Sequence, residues 1–358
     1  MQPPQAALLG LVSPISESVL LAGVINPGLR DGVRPETNSP SELLLQNHAL
    51  AVNPIDWKRR AFGIATPSFP LILGSDVAGT VVAVGEGVRK FRVGDRVLAS
   101  GDGMVSGRME QAGFQRYTVV GEAVAARVPK NVGWREAATV GTGLGTAVVG
   151  VFEVLGLPLE KDGDGGVNTG EGMLVWGAAG SVGSAAVQLA RLAGVGKVFA
   201  TASPTHHERV RKLGAVEVVD YRSETVVEEI VAAVEREGAK IRWVLDAVSE
   251  GDTFARVVEV LSRFEGEKKV AHLLPWPENV SKPADVEATR VNGGRIWGER
   301  KDLAAAVFND RLEKWLETGE FVPSVPRVVE GGLEGLEEAL NILRKGVSGE
   351  KVVVELEW

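Results

Sequence analysis

Residues 173–183 read Met-Leu-Val-Trp-Gly-Ala-Ala-Gly-Ser-Val-Gly, and this stretch limits the possible folds more than any other. Four apolar residues end at Gly177, and Gly180 and Gly183 follow at intervals of three. Residues 184–190, Ser-Ala-Ala-Val-Gln-Leu-Ala, read as a helix. A strand, a glycine turn and a helix bring backbone N–H groups and a helix N-terminus under a diphosphate. Gly177 permits the tight turn, Gly180 lets the backbone approach phosphate, and Gly183 lets the helix pack close to the strand. Ala178, Ser181 and Val182 complete the cofactor-binding set in this turn. The spacing is G-x-x-G-x-x-G rather than G-x-G-x-x-G, and a chain with 44 glycines matches such patterns easily. A βα turn of an unrelated domain would read the same. The apolar segment 197–202 after the helix favours the nucleotide reading.

The 358 residues suffice for one large or two ordinary domains. A net charge of −8 disfavours a nucleic-acid surface. With no Cys, disulfides, thiolate catalysis and Cys-ligated zinc are excluded. His48, His206, His207 and His272 are the only histidines, and none sits in a metal-ligand pattern. The apolar run 6–12 is short, meets Pro14 and lacks a basic flank, so it does not read as a signal peptide. No run of about 18 apolar residues suggests a membrane span. The expectation is a soluble, cytoplasmic protein.

Residues 1–130 read as short strands and turns, in the manner of a small barrel or sandwich. Apolar segments fall at 6–11, 18–22, 43–51, 71–73, 78–84, 96–99 and 115–120, with turn formers at 26–40. Gly94-Asp95, inside 88–97, reads as a hairpin turn. A helix is expected over 146–155, then a glycine-rich surface loop over 160–172. Beyond it strands and helices alternate: strands at 174–176, 198–201, 217–220, 243–246, 270–273 and 295–297, helices at 184–192, 206–213, 224–237, 252–261 and 303–317. That alternation predicts a doubly wound parallel sheet. Leu333, Leu336, Leu340 and Leu343 mark one buried helix face, and 351–356 reads as a strand outside the nucleotide unit.

An acid about 20 residues after the last fingerprint glycine would grip a ribose 2′-OH and repel a 2′-phosphate. Here the second strand runs into Ala202-Ser203-Pro204-Thr205-His206-His207, with no acid. Ser203 and Thr205 can donate hydrogen bonds, and His206, His207, Arg209 and Arg211 make the turn chargeable, which favours NADPH. Ser203 or Thr205 could equally cap the next helix. Tyr221 either borders the adenosine or simply packs there.

With the glycines placed, further phrases stand out in order: Asn53-Pro54-Ile55-Asp56-Trp57-Lys58, Gly74-Ser75-Asp76, Gly94-Asp95-Arg96-Val97, Gly331-Gly332-Leu333 and Ser348-Gly349-Glu350-Lys351. Over nearly its whole length the chain resembles the medium-chain dehydrogenase/reductase superfamily. The Asn-Pro-Ile-Asp-Trp-Lys form is most similar to fungal trans-acting enoyl reductases of polyketide synthases and to quinone-oxidoreductase-like proteins. Zinc members of the superfamily carry Cys and His near 53–56, Gly-His-Glu at Gly74-Ser75-Asp76 and a four-Cys lobe after residue 97; all of these ligands are missing here. The resemblance implies an α/β chain with a GroES-like, mostly-β catalytic domain and a Rossmann NADPH-binding domain. It divides the chain into 1–135, 136–300 and a return to the catalytic domain over 301–358.

Without metal, reduction of an activated carbon–carbon double bond is the expected chemistry. Hydride goes to the β carbon, and hydrogen-bond donors stabilise the oxyanion. Asn53, Lys58 and Thr139 are the catalytic candidates, with Gly141 and Thr142 near the nicotinamide by resemblance. Lys58 would stabilise an enolate, hold a carrier-linked phosphate, or lie on the surface. Asp56 reads as a turn residue, and Pro54 with a turn obscures which residues share a face. Leu273 follows a late strand, and since the C-terminal ends of strands face the cofactor in this fold, it is expected to line the cleft. Three functions follow: an enoyl reductase of polyketide intermediates, partnered by a synthase in trans; an NADPH:quinone or small-enone reductase; or a non-catalytic NADPH-binding scaffold. The polar run 265–269, read as blunting a sheet edge, favours a monomer.

Overall fold

The computed structural model describes residues 39–66, 71–159 and 170–358. The strands expected at 6–11 and 18–22, the turn formers at 26–38 and the loop at 160–169 lie outside the described residues.

The first sheet begins with β1 (Glu42–Ala51), β2 (Asp76–Val84), β3 (Arg96–Ser100), β4 (Tyr117–Gly121) and β5 (Ala125–Arg127). β1 is its hub and pairs antiparallel with β2 and β4. β2 and β3 form the expected hairpin, with Gly94 at φ +94° in the connection. Residues 71–73 join no strand. Helix α1 (Pro54–Phe62) leaves β1 directly, where a turn was expected. Pro54 occupies the first helical turn, where its missing N–H costs nothing, and Gly63 closes the helix at φ +64°. After α2 (Gly103–Ser106) and α3 (Trp134–Ala138), α4 (Gly141–Val148) leads into the second sheet and continues as a π-helical turn, Val149–Val154.

The second sheet contains β6 (Glu171–Trp176), β7 (Lys197–Thr201), β8 (Glu217–Val219), β9 (Lys240–Asp246), β10 (Lys268–His272) and β11 (Val286–Arg290). Its spatial order is β11-β10-β9-β6-β7-β8, all parallel, which is the dinucleotide-binding order with β6 at the switch point. Helices α5 (Ser181–Leu192), α6 (His207–Leu213), α7 (Val226–Arg236) and α8 (Thr253–Leu261) connect these strands. Alternate residues of β6 serve different layers. Met173 and Val175 join the cluster with Ala186 and Leu189 of α5, whereas Leu174 and Trp176 pack with Ile230 of α7 and Val257 of α8.

Two expectations fail here. The sixth strand is Val286–Arg290, not 295–297, which is part of a 3₁₀ turn, Gly293–Trp297. Gly293 and Gly294 suit that turn, and Trp297 donates its indole N–H to the Ser100 carbonyl at 2.9 Å across the domain junction. The real strand was obscured because only one of its faces is covered. The run 265–269 does not blunt an edge either. Lys268 and Lys269 lie in β10, between β9 and β11, so the argument for a monomer lapses.

After α9 (Lys301–Val307), the π-helical turn Phe308–Leu312 and α10 (Glu313–Thr318), the chain returns to the first sheet. β12 (Val325–Val329) pairs parallel with β13 (Glu350–Glu355), which pairs antiparallel with β1; α11 (Leu336–Lys345) links the two. One apolar cluster runs through both units, joining Ala51, Ala78 and Val353 to Val140, Leu144 and Ala186. No helix among the described residues is long and apolar enough to cross a membrane.

Candidate active site

The glycine turn has the geometry its spacing demands. Gly177 sits at φ +80°, and a Cβ there would strike Val248 Cγ2 at 2.5 Å. A Cβ on Gly183 would lie 2.3 Å from the Gly177 carbonyl oxygen and 2.8 Å from Ala178 Cα, so only glycine lets α5 approach β6 this closely. On Gly180 the nearest atom would be 3.7 Å away, so that side of the turn is open. Thr201 anchors the turn: its Oγ1 accepts from Gly177 N–H at 3.0 Å and its carbonyl from Ala178 N–H at 2.9 Å. Ala178 is buried, and Ser181 and Val182 start α5 half-buried.

Arg209 of α6 braces this turn from below. Its guanidinium donates to the Ala179 carbonyl at 2.8 Å and to the Gly349 carbonyl at 2.7 Å. Its Nε–H is buried without a partner, and burial lowers its pKa. A dinucleotide diphosphate suits these groups: an open glycine turn, a helix N-terminus and a half-buried cation bonded to two carbonyls.

After β7 and β8, Ser203 Oγ and Tyr221 Oη lie 3.4 Å apart, and Thr205 is exposed. Arg222 stacks over the Tyr221 ring at 5.8 Å and pairs with Asp220 at 3.0 Å. His206 turns away to the turn between α11 and β13, where Nε2 hydrogen-bonds with Ser348 Oγ at 2.8 Å; burial, then Arg209, lowers its pKa. His207 hydrogen-bonds with the Ala202 carbonyl at 2.9 Å.

The loop after β9 forms the opposite wall. Buried Asp246 accepts from Val248 N–H at 3.0 Å, Ser249 N–H at 2.8 Å and Thr253 Oγ1 at 2.9 Å. These bonds hold Ser249 at φ +54°. Its Oγ accepts from Leu273 N–H at 2.9 Å, which ties the ends of β9 and β10 together. Leu273 is thus at the carboxyl end of the sheet, as expected.

The catalytic-side residues meet at the junction of the two units. Asn53 Nδ2 donates to Asp76 Oδ2 at 2.9 Å, and Asn53 N–H donates to Asp56 Oδ2 at 2.8 Å. Asp76 Oδ1 accepts from Thr142 N–H at 2.6 Å and Thr142 Oγ1 at 2.5 Å. Lys351 Nζ lies 2.9 Å from Asp76 Oδ2 and donates to Asn53 Oδ1. Asp56 is fully buried, and desolvation pushes its pKa up to about 7. Thr139 is placed differently: its buried hydroxyl donates to the Glu136 carbonyl at 2.7 Å, with Ser324 O at 3.3 Å. Thr142, one turn further on, is the threonine joined to Asn53. Lys58, on the exposed side of α1, reaches across to Glu250 at 3.3 Å.

Residues 39–130 match the alcohol dehydrogenase GroES-like domain family, and residues 181–267 match the zinc-binding dehydrogenase family. The trans-enoyl reductase himH of Aspergillus japonicus is 36% identical over 88% of this chain and 90% of its own length. The trans-enoyl reductase tndF of Aspergillus flavipes is 33% identical, covering 93% of this chain and 96% of that protein. Among solved structures, an alcohol dehydrogenase superfamily protein from Novosphingobium aromaticivorans superposes with a TM-score of 0.73 at 26% identity, over 92% of this chain and 95% of that one. The chain belongs to the medium-chain dehydrogenase/reductase superfamily and is an NAD(P)H-dependent oxidoreductase. Within it, the chain lacks the ligand residues of the zinc members, and no group of three or more His, Asp or Glu among the described residues could hold a metal.

Sequence reasoning missed Lys351, Asp246, Ser249 and Val248 as parts of the site. A signal for Lys351 was present. In Lys351-Val352-Val353-Val354 it shares parity with Val353, and therefore the face that packs against the cofactor unit.

Proposed function

We propose that the protein is a cytoplasmic NADPH-dependent enoyl reductase that saturates an α,β-unsaturated acyl thioester of polyketide type, delivered on a carrier. The observation that carries this reading is the position of Lys58. Its ammonium stands on the catalytic side, opposite the loop whose Val248 packs on Gly177. The likeness to two trans-enoyl reductases over most of the chain supports the substrate class. We take residues 1–135 with 301–358 as the catalytic unit and 136–300 as the cofactor unit; the pairing of β13 with β1 supports that division.

When bound, NADPH supplies the hydride to the substrate's β carbon. Gly177–Gly183 and Arg209 hold the diphosphate. The Tyr221 hydroxyl, which accepts the Ser203 proton, would donate to the 2′-phosphate, and no acid follows β7 to repel it. The Thr142 hydroxyl has spent its proton on Asp76, so only its lone pairs remain for a donor on the nicotinamide side. Lys58 leaves Glu250 and pairs with the enolate oxygen as charge develops there. A proton from water or a side chain then reaches the α carbon.

The test is a titration with NADPH and NADH, then turnover of a crotonyl-type thioester, a simple enone and an ortho-quinone. Thioester turnover with NADPH is the expected result. Turnover of quinone alone would move the protein to the quinone reductases, and NADPH binding with no turnover of any acceptor would leave a scaffold.

A further inference from the structure

The last strand carries a lysine into the protein interior. Lys351 is 3% exposed, and its ammonium faces Asp76, which is fully buried, and Asn53. Asp56 lies in the same cluster: its carboxylate receives the N–H groups of Asn53 and of Gly74, the latter at 3.2 Å. Among the groups facing these two carboxylates, Lys351 comes from β13 and Arg59 from α1, and Arg59 spends Nη2 on the Ala65 carbonyl at 3.2 Å. Lys351 is thus the cation bonded to the Asp76 side of the cluster.

From Asp76 the contacts run on to the cofactor turn. Thr142 is doubly bonded to Asp76 Oδ1, and a Cβ on Gly141 would lie 2.5 Å from the same oxygen. One residue on, a Cβ on Gly143 would lie 2.9 Å from Ser181 Cβ, at the first residue of α5. Three glycine and threonine positions therefore transmit the place of Asp76 to the glycine turn by direct packing. The turn between α11 and β13 touches the same glycine turn through Gly349 and Arg209.

We propose that Lys351 is a positioning residue for the bound dinucleotide. It balances Asp76 in the interior, and Asp76 in turn fixes the start of α4 against the glycine turn. The inference rests on the cofactor reading only in that a nicotinamide dinucleotide binds at Gly177–Gly183. A buried carboxylate that loses its cation must take up a proton or drag water inward. In Lys351→Met, a protonated Asp76 can still donate to the vacated Asn53 oxygen, and the network closes at low pH. At high pH the bare carboxylates repel and Thr142 shifts.

The experiment is NADPH titration by fluorescence on wild type, Lys351→Met and Asp76→Asn/Lys351→Met, from about pH 6 to about pH 8.5. The ratio of the Lys351→Met Kd to the wild-type Kd should be near one at the acid end and rise about tenfold at the alkaline end. The double variant, which removes opposite influences on Asp56 together, should give a ratio that does not change with pH. A flat ratio for Lys351→Met, or the same rise in the double variant, overturns the proposal. Should Lys351→Met fail to fold, a folded double variant that binds NADPH supports it, and an unfolded one overturns it. Wild-type protein that binds neither NADPH nor NADH overturns the cofactor reading and this inference with it, whereas wild-type binding with a flat ratio overturns this inference alone.

Discussion

Lys58 Nζ and Glu250 Oε1 meet at 3.3 Å although 192 positions separate them in the chain. One belongs to α1 of the catalytic unit and the other to the loop after β9. Glu250 is 62% exposed, so the pair is solvent-screened and contributes little to stability. It can open for a substrate at small cost. Glu250→Gln is therefore expected to lower KM for an acyl thioester about two- to fivefold, with kcat unchanged. Lys58→Met should cut kcat/KM at least about tenfold while the NADPH Kd stays at its wild-type value. Steady-state kinetics beside cofactor titration separate these effects. Unchanged kcat/KM in Lys58→Met would remove Lys58 from the mechanism.

The two later glycines of the turn should fail differently. Gly183→Ala forces a methyl group to within 2.3 Å of a backbone carbonyl, and nothing flexible stands there to yield. A loss of about 1–3 kcal/mol in thermal or urea unfolding is expected. Gly180→Ala meets no atom nearer than 3.7 Å, so the fold should be unaffected. Its methyl group points into the space a diphosphate would fill, and NADPH affinity should fall. Normal NADPH binding by folded Gly180→Ala would place the diphosphate elsewhere.

Coenzyme choice is expected to lie in Ser203 and Tyr221, whose hydroxyls are 3.4 Å apart. Ser203→Ala/Tyr221→Phe removes the Tyr221 donor to a 2′-phosphate together with the Ser203 hydroxyl that orients it. NADPH should bind about tenfold more weakly, with NADH little altered. Isothermal titration with both coenzymes checks this, and an equal loss for both would mean that the pair packs against the adenosine instead.

Asp56 should make stability fall with pH. Desolvation dominates its rise to about 7 and Asp76 adds to it, while the Asn53 N–H, Lys351 and the Gly74 N–H oppose it. The folded protein keeps this proton at pH values where the unfolded chain has released it. The stabilising contribution is complete below the unfolded value of about 4 and is lost as pH rises through about 7. The slope from this one group has a ceiling of about 1.4 kcal/mol per pH unit. Urea unfolding across that range should show the decline in wild type and a shallower one in Asp56→Asn. Identical slopes would show that Asp56 does not hold the proton.

The cofactor unit was legible because its signals are local. Met173–Trp176 is apolar at every position, which suits a strand covered on both faces, and the glycines mark the turn that follows. The strand at Val286–Arg290 was not legible, since it covers one face only and its pattern is mostly polar. The helix at Pro54–Phe62 was hidden by its own proline, which marks a helix start as readily as a turn. Among the candidate site residues, Leu273 lies at the end of β10 bonded to Ser249, and the Ser203 and Tyr221 hydroxyls meet, whereas the hydroxyl of Thr139 is directed to backbone carbonyls.

What the sequence determined by itself was what depends on neighbours in the chain: the glycine turn, the alternation of strand and helix, and the loss of every zinc-ligand residue. Tertiary structure alone decided which distant residues share a site. Lys351 reaches Asn53 from 298 positions away because β13 pairs with β1, and Asp76 reaches Thr142 because α4 starts where the two sheets meet. Neither contact has a signature in local spacing. Each exists because a buried charge must find its partner wherever the fold brings one.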